Sequence, residues 1–484
     1  MMKTLMRFAI VCFLLLISPL KLVAATNQPN VVFILVDDLR WNALGCMGHP
    51  FLQTPNIDRI ASEGMRFDNA FTTISLCSPS RAGFLTGTYP QLNGVKNNED
   101  YTDPDPSVPN MGQLMQTAGY ETAFIGKWHM KKGGQPRAGF DYWLGFDGQG
   151  VYIDPPLNDN GREIQAKGYM TDLLTQYAVD WLRRPHKKPF LLYLSHKAVH
   201  MKFTPAERHK NLYLDVQAPE LPNWRDTLAG KPEWQRAAWV WDNRRAPWLQ
   251  NRHTPVPDEI PVEPWESQLA GVRLQYYQTL SAVDDGVGEV LKTLEQMGEL
   301  DNTILVFSSD NGFRIPGEKR IKSDKRTAHE ESMRIPMLVR FPKLVDPGSV
   351  SEEMVLNIDL LPTFLSLAGS DVPSHIQGRS FAPLLAGQDV PWRDSFLYEY
   401  FMEEWVPGIP GVYALRTKEW KYMMYPDIKS GKEPYETLQD MDELYNLSKD
   451  PHELKNLADN PEYRNQLNLM KAKLDGVLKN VDRQ

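Results

Sequence analysis

Residues Ser75 to Pro90 read SLCSPSRAGFLTGTYP, and the segment Cys77-Ser78-Pro79-Ser80-Arg81 gathers a thiol, two hydroxyls and a guanidinium within five positions. Pro79 suits a first helical turn, where a missing N–H loses no intrahelical bond. Ser78 and Ser80 can accept from the free backbone donors of that turn. A helix start favours an anion, and Arg81 adds a fixed positive fork. The segment therefore predicts a thiol stabilised as thiolate beside a docking place for an anionic substrate. An ordinary buried cysteine beside a capped helix would account for Cys77 taken alone. A second set is acidic. Asp37-Asp38 closes the apolar run Val31 to Val36. Capping of the next turn would explain one of these carboxylates but not both. Adjacent carboxylates repel unless a cation or donors lie between them, and paired hard oxygens suit Ca²⁺ or Mg²⁺.

The elements that must position these groups repeat one pattern. Val31 to Val36 is a continuous apolar run of the kind covered on both faces of a sheet. Thr122 to Gly126 leads into Lys127-Trp128-His129, Pro189 to Leu194 into Ser195-His196-Lys197-Ala198-Val199-His200, and Thr303 to Phe307 into Ser308-Ser309-Asp310-Asn311-Gly312. Four apolar strands ending in polar residues, with helical segments between them, predict an open α/β sheet whose ligand lies beyond the carboxyl ends. Singly, Lys127, His129 or His200 would read as a surface charge or a satisfied histidine. Delivered to one edge by four strands, they read as a site.

The rest of the chain sets the context. Met1 to Ala25 reads as a secretory signal, with Lys3 and Arg7 ahead of an apolar core and Val23-Ala24-Ala25 at the cleavage point. That core is too short to span a bilayer, so no stable membrane anchor is expected. Removing Lys3, Arg7 and Lys21 takes the formal charge from −8 to −11, which argues against nucleic acid as a partner. Of three cysteines only Cys46 and Cys77 lie beyond the signal, excluding a disulfide-rich scaffold; Cys46 is expected as a buried free thiol. Residues 204–268 hold six of the thirteen tryptophans, Trp224, Trp234, Trp239, Trp241, Trp248 and Trp265, and read as an insertion with short helices. These rings could stack on sugars or anchor the insertion to the core. A helix is expected from Val272 to Met297. From about Gly387 short aromatic strands and a polar terminal helix indicate a smaller subdomain, giving residues 26–386 as the main domain and 387–484 as an α+β unit.

Cys-x-Pro-Ser-Arg followed by Leu85-Thr86-Gly87 resembles the signature of type I sulfatases, and the order of the other motifs is similar to theirs over nearly the whole chain after the signal. The resemblance implies an alkaline-phosphatase-like fold, a large mixed sheet flanked by helices. It implies oxidation of Cys77 to formylglycine (3-oxoalanine) by a formylglycine-generating or anaerobic sulfatase-maturating enzyme. Ca²⁺ would be held by Asp37, Asp38, Asp310, Asn311 and the residue made from Cys77. Arg81, Lys127, His129, His200 and Lys325 match the family's sulfate-site residues. His200 or Lys325 would protonate the leaving oxygen, and His129 would take up the proton during release. Two positions depart from the pattern: Gly317-Glu318-Lys319-Arg320, where many relatives have Gly-Glu-His-Gly, and Gln91, where a histidine often follows Tyr-Pro. Runs such as Gln135 to Asp141 and Thr204 to His209 resemble bacterial polysaccharide sulfatases, both those similar to N-acetylglucosamine-6-sulfatase and those acting on algal glycans such as ulvan. A secreted or periplasmic enzyme acting on a sulfated carbohydrate is thus the expectation. A phosphonate or phosphodiester hydrolase of the same superfamily, and a non-catalytic binder of sulfated glycan, are the alternatives.

Overall fold

The computed structural model describes residues 28–131, 134–262, 271–315 and 325–481. The signal segment, Trp265 and Gly317-Glu318-Lys319-Arg320 lie outside these residues. In chain order the strands are β1 (Asn30–Val36), β2 (Met65–Phe67), β3 (Ala70–Phe71), β4 (Glu121–Lys127), β5 (Tyr142–Phe146), β6 (Pro156–Asp159), β7 (Arg162–Gln165) and β8 (Phe190–Ser195). There follow β9 (Thr303–Ser309), β10 (Met337–Arg340), β11 (Ser349–Ser351), β12 (Val355–Leu356), β13 (Ser395–Tyr400), β14 (Val412–Thr417), β15 (Trp420–Met424) and β16 (Glu443–Asn446).

Ten strands form one mixed sheet in the order β11-β2-β10-β9-β1-β8-β4-β5-β6-β7. Its centre, β9-β1-β8-β4-β5, is parallel throughout, so these strands end along a common edge. The six apolar residues of β1 that precede Asp37 are all fully buried. Val32, Ile34 and Val36 face the helices Met170–Leu182 and Gly271–Met297, while Val31, Phe33 and Leu35 face Cys77–Thr86, Met111–Thr117 and Leu360–Leu367. A strand covered twice needs no polar alternation, which is why its sequence is unbroken in apolar residues. The helix expected from Val272 runs from Gly271 to Met297; Tyr277, Leu280, Val283, Val287 and Leu291 are buried, and Leu274 is half-buried.

A second, antiparallel sheet, β13-β14-β15-β16, is covered on one face by the helix Arg464–Val481 through Leu397, Leu415, Tyr422, Leu444 and Met470. Its other face rests on the tryptophan-rich insertion. There Trp234, Trp241 and Trp248 are buried among Tyr398, Tyr400, Tyr425 and Tyr435, and Trp241 donates its Nε1–H to Thr254 O at 2.8 Å. These three tryptophans are packing anchors, and the possibility that they stack on sugar does not hold for them. Trp239 is exposed and Trp224 half-buried. The short helices expected in the insertion are Glu233–Val240 and Arg245–Asn251.

Buried charges join the small sheet to the segment after Lys325. Lys421 Nζ lies 2.7 Å from Glu330 and 2.8 Å from Glu453. Glu443 accepts from Tyr425 and Tyr445 and lies 3.6 Å from His329 Nε2. Burial would raise the Glu330 carboxyl, but Lys421 and Arg416 more than offset this and hold it at about 2; Glu443 is likewise held at about 2 by His329 and the two tyrosines against burial. Their unfolded values lie near 4.3, so between there and about 2 the unfolded chain binds more protons. Stability carried by these groups is present above that window and lost as pH falls through it. Acid titration followed by tryptophan fluorescence is expected to show a transition there, and Glu330→Gln should remove part of its pH dependence. An unchanged profile in that variant would refute the role given to the cluster.

Candidate active site

The common edge of the parallel strands is where the polar residues meet. Asp310-Asn311 follow β9, Asp37-Asp38 follow β1, residues 196–200 follow β8, and β4 ends in Lys127. The strand ends are laced together: Asp37 N–H donates to Ala198 O at 2.8 Å, Val199 N–H to Asp37 O at 2.7 Å and Asp310 N–H to Val36 O at 3.0 Å. Gly126 permits this closeness. Its φ is +122°, and a Cβ there would lie 1.8 Å from Ser195 O. Asp38 and His129 take φ of 57° and 63°, a left-handed turn with a strain of about 1–3 kcal/mol each. Both stand where the chain must bend sharply off a strand.

The helix Cys77–Thr86 is buried along its whole length and ends in Gly87 at φ 67°. The serines do not cap it. Ser78 Oγ donates to His129 O at 2.6 Å and Ser80 Oγ to Asp310 O, tying the helix start to the strand-end loops. The Ser78 N–H is capped instead by Asn98 Oδ1 at 3.0 Å. Cys77 Sγ lies 3.6 Å from Asp37 Oδ1 and 2.9 Å from Lys325 Nζ. Burial and Asp37 push this thiol up to about 12, outweighing Lys127 and Lys325. The shift runs against the expected stabilised thiolate: burial and Asp37 favour the protonated thiol here. Cys46 is free and partly buried.

Cations surround the thiol and the carboxylates. Arg81 donates from Nε to Asp310 Oδ2 at 2.9 Å and from Nη1 to Lys127 O at 2.8 Å and Ser195 Oγ at 2.7 Å, while its Nη2 lies 3.2 Å from Asp37 Oδ2. Lys127 pairs with Asp37 and donates to Gln149 Oε1 at 2.6 Å. Lys325 Nζ lies 2.5 Å from Asp38 Oδ1. His200 Nε2 stands 3.7 Å from Asp38 Oδ2, and its Nδ1 lies 2.6 Å from Met201 O. Burial and Lys127 hold His200 down at about 4 and His129 well below the usual imidazole range. Both shifts favour the neutral imidazole.

The carboxylates fit a hard cation. Asp37, Asp38 and Asp310 offer oxygens within 4.8 Å of one another, and all three are fully buried. Asp38 Oδ2 and Asn311 Oδ1 are buried acceptors with no hydrogen-bond partner among the described residues. Asn311 Nδ2 donates to Asp38 Oδ1 at 2.7 Å and to Gly312 O at 2.9 Å, which fixes the amide with its oxygen unoccupied. Burial and the charges of Asp37 and Asp38 raise Asp310 to about 6. A cation among these oxygens would relieve both the repulsion and the orphaned acceptors. The sequence offers no zinc-type Cys/His motif, yet Cys77, Asp37 and His200 also come within 4.8 Å.

All residues expected at the site, Asp37, Asp38, Cys77, Arg81, Lys127, His129, His200, Asp310, Asn311 and Lys325, come together at this edge. Gln149, Ser195 and Asn98 belong to it as well and were not singled out from sequence. Gln149 follows β5, whose carboxyl end lies on the same edge as that of β4. The strand-end rule would have found it had β5 been recognised as a strand.

Comparison with known proteins gives a consistent result. The sulfatase family profile matches residues 29–370, and a second profile, described as N-sulphoglucosamine sulphohydrolase, C-terminal, matches residues 317–480. The chain is 36% identical over 470 residues to an N-acetylglucosamine-6-O-sulfatase of Bacteroides thetaiotaomicron, covering 87% of this chain and 83% of that protein. It is 28% identical over 443 residues to an ulvan-active sulfatase of Formosa agariphila, covering 85% and 79% respectively. It superposes with a TM-score of 0.80 and 32% identity on a solved structure of a protein in complex with its substrate D-glucosamine-2-N,6-O-disulfate, covering 95% of this chain and 99% of that one.

Proposed function

The chain belongs to the sulfatase family, and from that premise we propose that it hydrolyses sulfate esters on a sulfated oligo- or polysaccharide, with 6-sulfated glucosamine the first candidate. The observation that carries this reading is the gathering of Cys77 with Arg81, Lys127 and Lys325 over buried carboxylates at one sheet edge. The higher identity to the glucosamine-type relative, 36% against 28% for the ulvan-active one, sets the order of candidates.

Oxidised to an aldehyde and hydrated, residue 77 would supply one hydroxyl to attack sulfur and a second to expel sulfate. Ca²⁺ held by Asp37, Asp38, Asp310, Asn311 and residue 77 would supply charge opposite the sulfuryl oxygens. Lys127 and Arg81 bring further positive charge to the same oxygens, and their pairing with Asp37 and Asp310 fixes them before substrate arrives. Lys325 gives a proton to the sugar oxygen as it leaves. His129, neutral and held beside Ser78, accepts a proton when sulfate is released. The first 25 residues would direct export to the periplasm or beyond, and a maturating enzyme is the implied partner. No helix among the described residues is long and apolar enough to cross a membrane.

A panel of defined sulfated saccharides, read by released sulfate, tests this. Release from a 6-sulfated glucosamine is expected to be fastest, with ulvan fragments as the comparison. Failure on every sulfated sugar, or faster turnover of an aryl phosphate diester than of an aryl sulfate, would reject the reading.

A further inference from the structure

Lys197 stands on the segment after β8, three residues before His200, and none of the roles above uses it. Its side chain is only 3% exposed, and among the described residues no carboxylate, carbonyl or hydroxyl accepts from its ammonium. The contact it makes is with the face of Tyr152, 4.6 Å from the ring centroid. Tyr152 in turn donates its hydroxyl to His200 O at 2.6 Å and stacks on Tyr169. The neighbouring backbone is fixed, since Ala198 O accepts from Asp37 N–H and Lys197 O accepts from His200 N–H at 3.0 Å. The lysine is thus held between Ser195, which binds Arg81, and His200, which faces Asp38.

A largely buried ammonium with no contacting hydrogen-bond or ion-pair partner is unfavourable, and a ring face offsets only part of that. An apolar side chain of similar length would cover Tyr152 without burying charge. Burial, then the charge of Lys127, push Lys197 down to about 8, while Asp37, Asp38 and Cys77 act in the other direction, so the group lies within electrostatic reach of the thiol and the carboxylates. It is still mostly protonated at neutral pH.

Resting on the sulfatase reading, we infer that the Lys197 ammonium is a further cation of the sulfate site, alongside Arg81, Lys127 and Lys325, and contacts an anionic oxygen of the sulfate group when substrate or product is bound. The group it lacks is the one the reaction brings.

The test is calorimetric titration of the purified enzyme with inorganic sulfate, run beside kcat/KM on an aryl sulfate and Tm, for wild type, Lys197→Met and Lys197→Gln. Loss of one charge-assisted contact should weaken sulfate binding and kcat/KM in both variants by about tenfold to a hundredfold. Tm should be unchanged or higher, because no hydrogen bond or contacting ion pair is lost and a largely buried ammonium is removed. Sulfate affinity equal to that of wild type overturns the inference. So does weaker binding accompanied by a lower Tm in both variants, the signature of a packing lysine. A wild type that neither binds sulfate nor cleaves the aryl sulfate removes the sulfatase reading and this inference together, whereas an active wild type with unaffected variants removes only the role of Lys197.

Discussion

Cys77→Ala is expected to lower turnover by about 10⁴- to 10⁶-fold, the scale seen when a covalent nucleophile is deleted, with Tm nearly unchanged. At 0% exposure, with burial and Asp37 pushing it up, the Cys77 thiol is held toward its protonated, less nucleophilic form. On the proposed chemistry, an aldehyde hydrate at this position supplies two hydroxyls where the site has its cations. The substitution removes one sulfur atom; Lys325 keeps Asp38, and Asp37 keeps Lys127 and Arg81, so the fold loses little. Cys77→Ser is the sharper control, since a hydroxyl without aldehyde chemistry can attack but cannot expel sulfate in the same way. Peptide mass spectrometry of active enzyme should find an aldehyde at residue 77. Full activity with an unmodified thiol, or a serine variant as active as wild type over many turnovers, would end the proposal.

Removing the proposed divalent ion is expected to abolish activity and to lower Tm by about 3 °C, because an ion present at a hundred times its Kd contributes about 2.7 kcal/mol to the folded state. Three fully buried carboxylates would be left facing each other, balanced by Arg81, Lys127 and Lys325. Asp38 Oδ2 and Asn311 Oδ1 would again lack partners. Ca²⁺ should restore both readouts after chelation, and Zn²⁺ should not, since the available donors are hard oxygens. Metal analysis of the purified protein should give one equivalent per chain. A chelated enzyme that keeps its rate and its Tm would show that the carboxylates are balanced by protein groups alone.

The sheet was legible because its central strands are covered on both faces and so spell out unbroken apolar runs; β1, β4, β8 and β9 were all expected. Their shared edge follows from parallel pairing, and with it nearly the whole site. What the sequence hid depends on side-chain direction. Nothing in the order Ser78-Pro79-Ser80 says that both hydroxyls turn away from the helix start to bind His129 O and Asp310 O. The tryptophans of the insertion were ambiguous for the same reason, as ring composition is equal for a sugar platform and for a packing anchor. Only the small sheet lying over Trp234, Trp241 and Trp248 decides it. β13 escaped notice although Phe396 to Tyr400 is aromatic-rich, and Lys197 escaped because a lysine in a strand-end loop usually points to water.

The sealing of Cys77 bears on when the molecule can be made active. Its helix is pinned at the first turn by Asn98, His129 and Asp310, and no oxidising enzyme can reach a thiol with 0% exposure there. On the proposed chemistry, conversion belongs to the interval before the chain closes. That interval has a minimum length, because Asp310 and the β9 partner of β1 are synthesised more than 200 residues after Cys77. At 5–20 residues per second this is roughly 10 to 50 s. The active fraction of any preparation is then a race between two rates, and a host that translates faster than its maturase works would accumulate well-folded, permanently inert protein.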